Sequence, residues 1–517
     1  MNRGTASSEY SKLESLRFPY LSRARDCSRL TIPTVMPDEG STTDKRFATP
    51  FQSVGARGVN NLSSALLLSL LPPNSPFFRL VVDEAAIRKL QGVDPRIKSE
   101  IERAMSERER LVMREVEVQA VRVGAFEAIK QLIICGNAGL YFPVDGGPLR
   151  VIRMDRYVVK RDPQGRVKMV IIKEGVAKSM LPPEMMSILE VGALSNSHEN
   201  NVDLFTCIHS LPGGKVEMYQ EIKGIEVPGS YGIFDETKSP FLALRMIRVD
   251  GEDYGRGYVE QYLGDLKSLE ALTQVIVEGA AAASKVLFLV NPNGTTKAST
   301  LAKAPNGAIR EGSAGDVSVL QTGKQADFAT ALSAINAISE RLSYAFLLTE
   351  ASIRNADRVT AEEVRLVTQS IERQLGGIYS LLSQEFQLPL VYKMMEQMER
   401  EKRLPKVPKK FVTPAIVTGI EALGRGNDLS RLDVYLQGIG QILGPQAIQQ
   451  YVDVREYLTR RAAALGIETN GLVKTEEQLN AERQAAAYNQ TMQQTMPALS
   501  SAAAQSMMQR AQAQQGQ

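Results

Sequence analysis

Two long helical stretches that flank a short, strand-like insert are the feature that most constrains the fold of this chain. Between Tyr258 and Ser284 there is no proline, and apolar side chains recur every three or four residues. This spacing predicts a helix about 40 Å long. A second stripe with the same spacing predicts another helix over 327–348. The intervening residues 285–326 hold short β-like runs among glycine- and proline-rich turns. The pattern therefore predicts a helical hairpin that carries a small β-rich tip.

The chain before this hairpin mixes helical and strand-like periods. Residues 1–50 are polar and rich in proline, which predicts an extended arm with short helices. Apolar residues at helical spacing from about 96 to 135 predict one long helix. From 140 to 250 the apolar period changes to two, and turn-forming residues occupy 162–165 and 212–214. This second pattern indicates antiparallel strands, so the fold class is α+β and predominantly helical.

The chain after the hairpin is helical with one break. A polar segment at 349–359 interrupts the helical period, and Thr360 begins a capping box for a third long helix. Pro389 predicts a kink in that helix. Helical periodicity returns from about 428 to 488, whereas 497–517 is rich in Ala and Gln. Few large apolar side chains remain in this last segment, so it is predicted to be disordered.

Composition argues against several classes of protein. The three cysteines, Cys27, Cys135 and Cys207, are far apart and form no CxxC pair, which argues against a disulfide scaffold or a thiolate zinc site. The most apolar stretch, 62–71, is too short for a membrane span, which needs about 20 residues. No signal peptide is recognisable, so a soluble intracellular chain is expected. A net charge of +3 gives no sign of tight nucleic-acid binding.

Motifs for enzymatic chemistry are incomplete. The glycines and lysine at 213–215 lack the upstream glycine of a P-loop, and those at 255–257 lack the third glycine of a dinucleotide-binding turn. A Mg²⁺-dependent nuclease is the enzymatic alternative, with Asp203 as an upstream acid and Glu221 and Lys223 as an acid–x–Lys pair. The same alternation is typical of a solvated strand face. We therefore expect no enzyme, no cofactor and no metal site.

Eight stretches of the sequence resemble one known family. They are VGARGVNNL at 54–62, FEAIKQL at 126–132, RVDGEDYGRGYVEQYLGDLKSLE at 248–270, SKVLFLVNPNG at 284–294, KQADF at 324–328, RVTAEEVR at 358–365, GGIYSLLSQEFQLPLV at 376–391 and TGIEALGRGNDL at 418–429. Over roughly residues 18–480 the chain resembles the portal, or head-to-tail connector, proteins of short-tailed double-stranded DNA bacteriophages, the podoviruses of the autographivirus type. The resemblance depends on the set of stretches and their order, since no single one is specific.

The resemblance implies a portal fold that assembles as a cyclic dodecameric ring around a central channel. Its wing, stem, clip and crown regions would be distributed along the chain in a fixed order. They would be an N-terminal arm and wing at 1–257, stem helix 1 at 258–284, the clip at 285–326, stem helix 2 at 327–348, a tunnel loop at 349–359, a long kinked wing helix and return at 360–427, a helical crown at 428–496 and the tail at 497–517.

The implied function is mechanical and is located at one vertex of the capsid. Double-stranded DNA would be packaged through the channel and later ejected. The implied partners are further copies of the chain, the terminase large subunit, tail adaptor or gatekeeper proteins, the major capsid and scaffolding proteins, and internal core proteins at the crown, with no membrane. The protein would be part of the virion, after assembly in the host cytoplasm. Another ring-forming head-completion or adaptor protein is the alternative, although such chains are usually much shorter.

The resemblance also suggests site residues. The tunnel loop is expected to narrow the channel with Arg358, supported by Arg354 and flanked by Asn355 and Asp357. Packing between neighbouring stems is expected of Leu266, Leu269, Leu332, Ile335 and Leu342. A stem about 40 Å long would face roughly 24 phosphates. Because a strongly basic lining would grip them, a nearly neutral chain is compatible with a DNA conduit.

Overall fold

The computed structural model of the chain contains two compact units, Met1–Ala422 and Leu423–Gln517. The residues that it describes are 5–40, 46–73, 76–82, 95–143, 147–181, 201–283, 287–320, 325–348, 375–404, 412–416 and 424–443, together with 452, 454, 457, 458, 461 and 508. Helices and antiparallel strands both contribute to the first unit, as the sequence predicted for an α+β chain.

Four helices form the N-terminal part of the first unit. They are α1 (Ala6–Arg29), α2 (Val54–Leu70), α3 (Pro95–Val118) and α4 (Val121–Cys135). The prediction of an extended arm with short helices was wrong, because α1 is a single helix that continues through Pro19. The proline is exposed, and one missing N–H is offset by the apolar face that α1 buries.

The prediction of one long helix over 96–135 was also wrong. Ala120 has a left-handed backbone (φ 49°) and separates α3 from α4. The apolar period alone did not reveal the break, because both helices carry buried residues at helical spacing on either side of it. Many residues of α4 are buried, and the helix packs against α1, α2 and the strand that follows it.

Ten strands of this part of the chain lie within the described residues and belong to antiparallel sheets. The strands are β1 (Phe78–Val82), β2 (Asn137–Tyr141), β3 (Arg150–Ile152), β4 (Tyr157–Arg161), β5 (Val167–Ala177), β6 (Asn201–Leu211), β7 (Lys215–Ile222), β8 (Ile225–Glu226), β9 (Gly232–Asp235) and β10 (Phe241–Arg245). One sheet has the order β10-β2-β3, and a six-stranded sheet has the order β4-β5-β6-β7-β8 with β9 also on β7. The predicted antiparallel strands and both predicted turns are confirmed.

Helix α1 lies on the six-stranded sheet, where Tyr10 and Leu13 belong to a buried apolar cluster. The buried side chain of Arg17 fixes the helix in place. Its Nη1 atom donates hydrogen bonds to the carbonyl oxygens of Met154 (3.1 Å) and Tyr157 (2.6 Å). A buried charge is costly unless it is hydrogen-bonded, so these bonds position α1 and offset part of the cost of burying Arg17.

The helical hairpin that the sequence predicted is present. After a 3₁₀ turn at Val259–Tyr262 it consists of α5 (Leu263–Ala283), β11 (Leu287–Val290), α6 (Ala298–Ala302), β12 (Val317–Leu320) and α7 (Gln325–Ala345). Strands β11 and β12 pair antiparallel. We call residues 287–320 the tip and the ends of the two long helices near 258–266 and 342–348 the hairpin base.

The part after the hairpin returns to the first unit. A π-helical turn at Ser383–Gln387 precedes α8 (Leu388–Arg400), so the α-helical pattern changes just before Pro389, which has no N–H to donate. Strand β13 (Val412–Ile416) pairs with β1. The second unit contains α9 (Gly424–Leu443). None of the helices within the described ranges is long and apolar enough to cross a membrane.

Candidate functional site

The hairpin base is built around three aromatic rings. The Phe346 ring centroid lies 5.9 Å from that of Tyr258 and 5.8 Å from that of Tyr262. Phe346 is completely buried, and Tyr258 donates a hydrogen bond to the carbonyl oxygen of Ala345 at 2.9 Å. Burial raises the pKa of Tyr258, so its hydroxyl stays protonated and remains a donor. The two long helices are therefore joined to one another where they meet the body of the first unit.

A carboxylate on α5 fastens the segment that precedes α2. Glu270 accepts hydrogen bonds from the backbone amides of Phe51 (2.9 Å) and Gln52 (3.2 Å). Gln52 in turn donates to the carbonyl oxygen of Leu30 and accepts from the amide of Gly55. These bonds connect the end of α1, the start of α2 and the lower part of the hairpin.

The acidic residues of the hairpin base have cationic partners in the same chain. Glu260 lies 2.8 Å from Arg256 and 3.3 Å from Arg23, and Asp265 lies 2.9 Å from Arg341 on α7. The hydrogen bonds that Arg256 donates to the carboxylates, first to that of Glu252 and then to that of Glu260, raise the pKa of Arg256. Glu260 and Asp265 therefore contribute little uncompensated negative charge at the hairpin base.

Several large apolar side chains of the hairpin are exposed in the single chain. Val275, Val277 and Leu332 are half or more exposed on the two long helices, and Ile309 is 98% exposed on the tip. Phe288 on β11 is also exposed. Solvent exposure of so much apolar surface is unfavourable, and exposed apolar patches commonly mark interaction surfaces.

The five residues expected to pack between subunits have different environments. Leu266, Leu269 and Leu342 are buried in the core of their own chain, and Ile335 packs against that core from a partly exposed position. Leu332 is 52% exposed. Contact with a neighbouring subunit stays a prediction for the set, and Leu332 offers the largest exposed area with which to test it.

The four predicted tunnel-loop residues lie outside the described residues. They are Arg354, Asn355, Asp357 and Arg358. Their role at a constriction therefore stays a prediction. The described residues on either side of this segment are Leu348, the last residue of the hairpin base, and Leu375.

Two of the three residues of the nuclease alternative, Asp203 and Glu221, have structural roles in the fold. Asp203 forms an ion pair with Lys173 at 3.0 Å, and the buried Glu221 accepts hydrogen bonds from the amide of Ala6 at 2.9 and 3.0 Å. Glu221 thus caps the first turn of α1, a favourable place for a negative charge. Within the described ranges, no group of three or more His, Cys, Asp or Glu side chains is arranged to hold a metal ion. The geometry gives the nuclease alternative no support.

Comparison with known proteins places the hairpin within a longer region of similarity. A model of the family described as bacteriophage head to tail connecting protein matches residues 3–473. The chain is 39% identical to the portal protein of Escherichia phage T7 over 507 residues, which is 97% of this chain and 93% of that protein. It is 30% identical to the portal protein of Pseudomonas phage phiKMV over 481 residues, 92% and 94% of the two chains. Among solved structures, a chain from the neck of an empty GTA particle computed with C6 symmetry covers 81% of this chain and 90% of its own, at 12% identity and a TM-score of 0.37.

Proposed function

This chain belongs to the family of bacteriophage head-to-tail connecting proteins, and we propose that twelve copies of it form the portal channel of a short-tailed phage. Its function is that of a portal, the connector between the head and the tail. The observation that carries this conclusion is the family match over residues 3–473, which includes the hairpin and all the sheets of the first unit. Portals are structural components of the virion, which is why we propose no enzymatic activity.

The exposed apolar side chains of the hairpin support self-association. In a ring, one face of each subunit contacts a different face of the next, and the rotation closes after a fixed number of copies. Val275, Val277 and Leu332 would then lie between neighbouring hairpins. Full burial of each side chain contributes about 1.5–3 kcal/mol relative to exposure, and twelve equal interfaces add these contributions around the ring.

The assignment of regions follows the architecture that the sequence suggested. We propose that α5 and α7 are the stem, that the tip is the clip, that residues 1–257 and 360–427 form the wing, and that 428–496 form the crown. The exposed Phe288 and Ile309 make the tip a suitable docking surface, first for the terminase large subunit and then for tail adaptor proteins. Capsid and scaffolding proteins would surround the wing, and internal core proteins would contact the crown. Assembly would take place in the host cytoplasm.

The channel would allow DNA to slide in both directions. DNA carries about one charge per 1.7 Å, and each neutralised phosphate adds affinity. The ion pairs of the hairpin base leave few uncompensated charges of either sign there. We propose that the positive charges of Arg358 and Arg354 in the tunnel loop, with Asn355 and Asp357 beside them, contact phosphates at the narrowest point.

Negative-stain electron microscopy of the purified chain tests the proposed ring. We expect ring-shaped particles with twelvefold symmetry and a central hole. Particles that remain monomeric at high protein concentration, with or without scaffolding protein, would contradict the proposal, and a ring of different symmetry would contradict the proposed number of twelve copies. A DNA-cleavage assay with and without Mg²⁺ serves as the control for the nuclease alternative, and we expect no cleavage in either condition.

A further inference from the structure

The C-terminal end of α7 is held by side chains from two other elements. The last carbonyl groups of a helix have no partner within the helix. Here Asn61, on α2, donates from its Nδ2 atom to the carbonyl oxygens of both Phe346 and Leu347, each at 3.1 Å. Tyr258 donates to the preceding carbonyl oxygen, that of Ala345. Three consecutive carbonyl groups are thus hydrogen-bonded by two side chains.

The packing around these carbonyl groups leaves little room for movement. An ideal Cβ atom built on Gly58 would lie 2.6 Å from the Phe346 ring, so only glycine permits this approach of α2 to the end of α7. Phe346 is completely buried and Leu347 is 4% exposed. The C-terminal end of α7 is therefore held tightly by its packing within the first unit.

The backbone at this point is strained. Leu347 has a φ of 57°, which lies in the left-handed region. For a residue with a Cβ atom, this conformation has a higher free energy than the right-handed one. Such a conformation persists only when its surroundings determine it. The amide of Leu348 donates to the carbonyl oxygen of Ser343 at 2.8 Å, which completes the turn. The hydrogen bonds of Asn61 and Tyr258 account for why the chain turns here rather than continuing as a helix.

We propose that Asn61 and Tyr258 are positioning residues that fix the direction of the backbone at Leu347 and Leu348, where the chain leaves the stem ahead of the proposed tunnel loop. This inference rests on the proposed function, which assigns the constriction to residues 349–359. Pressure from packaged DNA on the constriction would be transmitted to the end of α7. The two side chains would resist it by holding the backbone against α2 and the base of α5.

Hydrogen exchange measured by mass spectrometry on assembled rings tests the inference directly. The variants are Asn61→Ala, which removes two hydrogen bonds, and Tyr258→Phe, which removes one hydroxyl and keeps the ring packing. We expect the amides of Leu347 and Leu348 to exchange about fivefold faster in Tyr258→Phe, because the loss of one hydrogen bond makes local opening that much easier. In Asn61→Ala, which loses two hydrogen bonds, we expect exchange to be at least about tenfold faster. Asn60→Ala is the matched control, since Asn60 is the exposed neighbour of Asn61 on α2. It should exchange like the wild type.

Retention of DNA by filled particles provides the functional readout. We expect particles with Asn61→Ala or Tyr258→Phe to assemble and package normally but to lose DNA several times faster on heating than wild-type or Asn60→Ala particles. Rings that form, with wild-type exchange at Leu347 and Leu348 and wild-type retention in both variants, would overturn the inference while leaving the proposed function intact. Absence of rings from the wild-type chain would instead overturn the proposed function. If Asn61→Ala fails to fold, the Tyr258→Phe result decides.

Discussion

At the scale of single residues, glycine is required where two backbones or a backbone and a ring come close together. Gly58 faces the Phe346 ring, and a Cβ atom there would lie 2.6 Å from Cγ. Phe346 is fully buried and has no room in which to turn. The position therefore tests whether α2 and the hairpin base pack as tightly as the distances indicate.

We predict that Gly58→Ala lowers the free energy of unfolding by about 1–3 kcal/mol, the usual cost of overpacking. Denaturant unfolding of the purified chain measures it. Gly264→Ala is the control, because a Cβ atom on Gly264 in α5 meets no atom within 4 Å. That change should be neutral or should stabilise the chain by up to about 1 kcal/mol. Equal effects of the two changes would show that the packing of Phe346 against α2 is unimportant.

The cysteines permit a second prediction at this scale. Burial, above all, raises the pKa of Cys27 and of Cys207 to about 12, and it also raises that of Cys135. Because the thiolate is the reactive form, only about one thiol in ten thousand is ionised at pH 8 when its pKa is about 12. We predict no alkylation by iodoacetamide at pH 8 in the native state and three modified thiols after unfolding, as counted by intact-mass spectrometry. Rapid labelling of the folded chain would contradict this arrangement.

At the scale of elements, the apolar periodicity of the sequence correctly predicted those helices, strands and turns that are determined by neighbouring residues. The helix, β-rich tip and helix of the hairpin follow from apolar spacing, as do β4 to β7 and their turns. The features that the periodicity did not predict depend on packing between residues far apart in the sequence. The continuity of α1 through Pro19 depends on the face that it buries on the six-stranded sheet. Asn61 carried no signal in the sequence, because the carbonyl groups that it binds lie 285 and 286 residues further along.

The exposed Leu332 on α7 gives a prediction about the role of this helix in assembly. Leu332→Asp should leave the chain folded, because the side chain is 52% exposed. It should prevent ring formation, because a charge would be buried without a partner at each interface. Mass photometry would then show monomers where the wild type gives rings. Ser333→Asp adds the same charge at the neighbouring exposed position without removing apolar area and should affect assembly less. Normal rings from Leu332→Asp would exclude this residue from the interface.

At the scale of the whole molecule, one strand pair joins distant parts of the first unit. Strand β13 pairs with β1 across more than three hundred residues, with Leu80 opposite Pro414. The amide of Leu80 donates a hydrogen bond to the carboxylate of Glu109 on α3 at 2.8 Å. The local pattern of apolar residues in a strand does not specify which distant strand it pairs with. The pairing of β1 with β13 therefore could not be predicted from either segment alone.

We predict that a chain truncated after Ala422 keeps the thermal unfolding transition of the first unit to within a few degrees, because that unit retains its core and its last strand. Truncation after Leu404 removes β13 and leaves β1 without this partner. It should lower the midpoint by about 4 °C or more if the lost contacts are worth a few kcal/mol. Differential scanning calorimetry compares the two. Identical midpoints would mean that the strand pair does not stabilise the unit.

The pairing of charges at the hairpin base has a consequence for the direction of transport. Glu260 and Asp265 are matched by Arg256, Arg23 and Arg341 within the same chain. In the proposed ring, a channel lined by such pairs would present a nearly uniform electrostatic potential to passing DNA. A uniform potential would favour neither direction, so the same channel could serve packaging and ejection without a change of structure. The asymmetry of the process would then be supplied from outside, by the machinery docked at one end and by the pressure stored at the other.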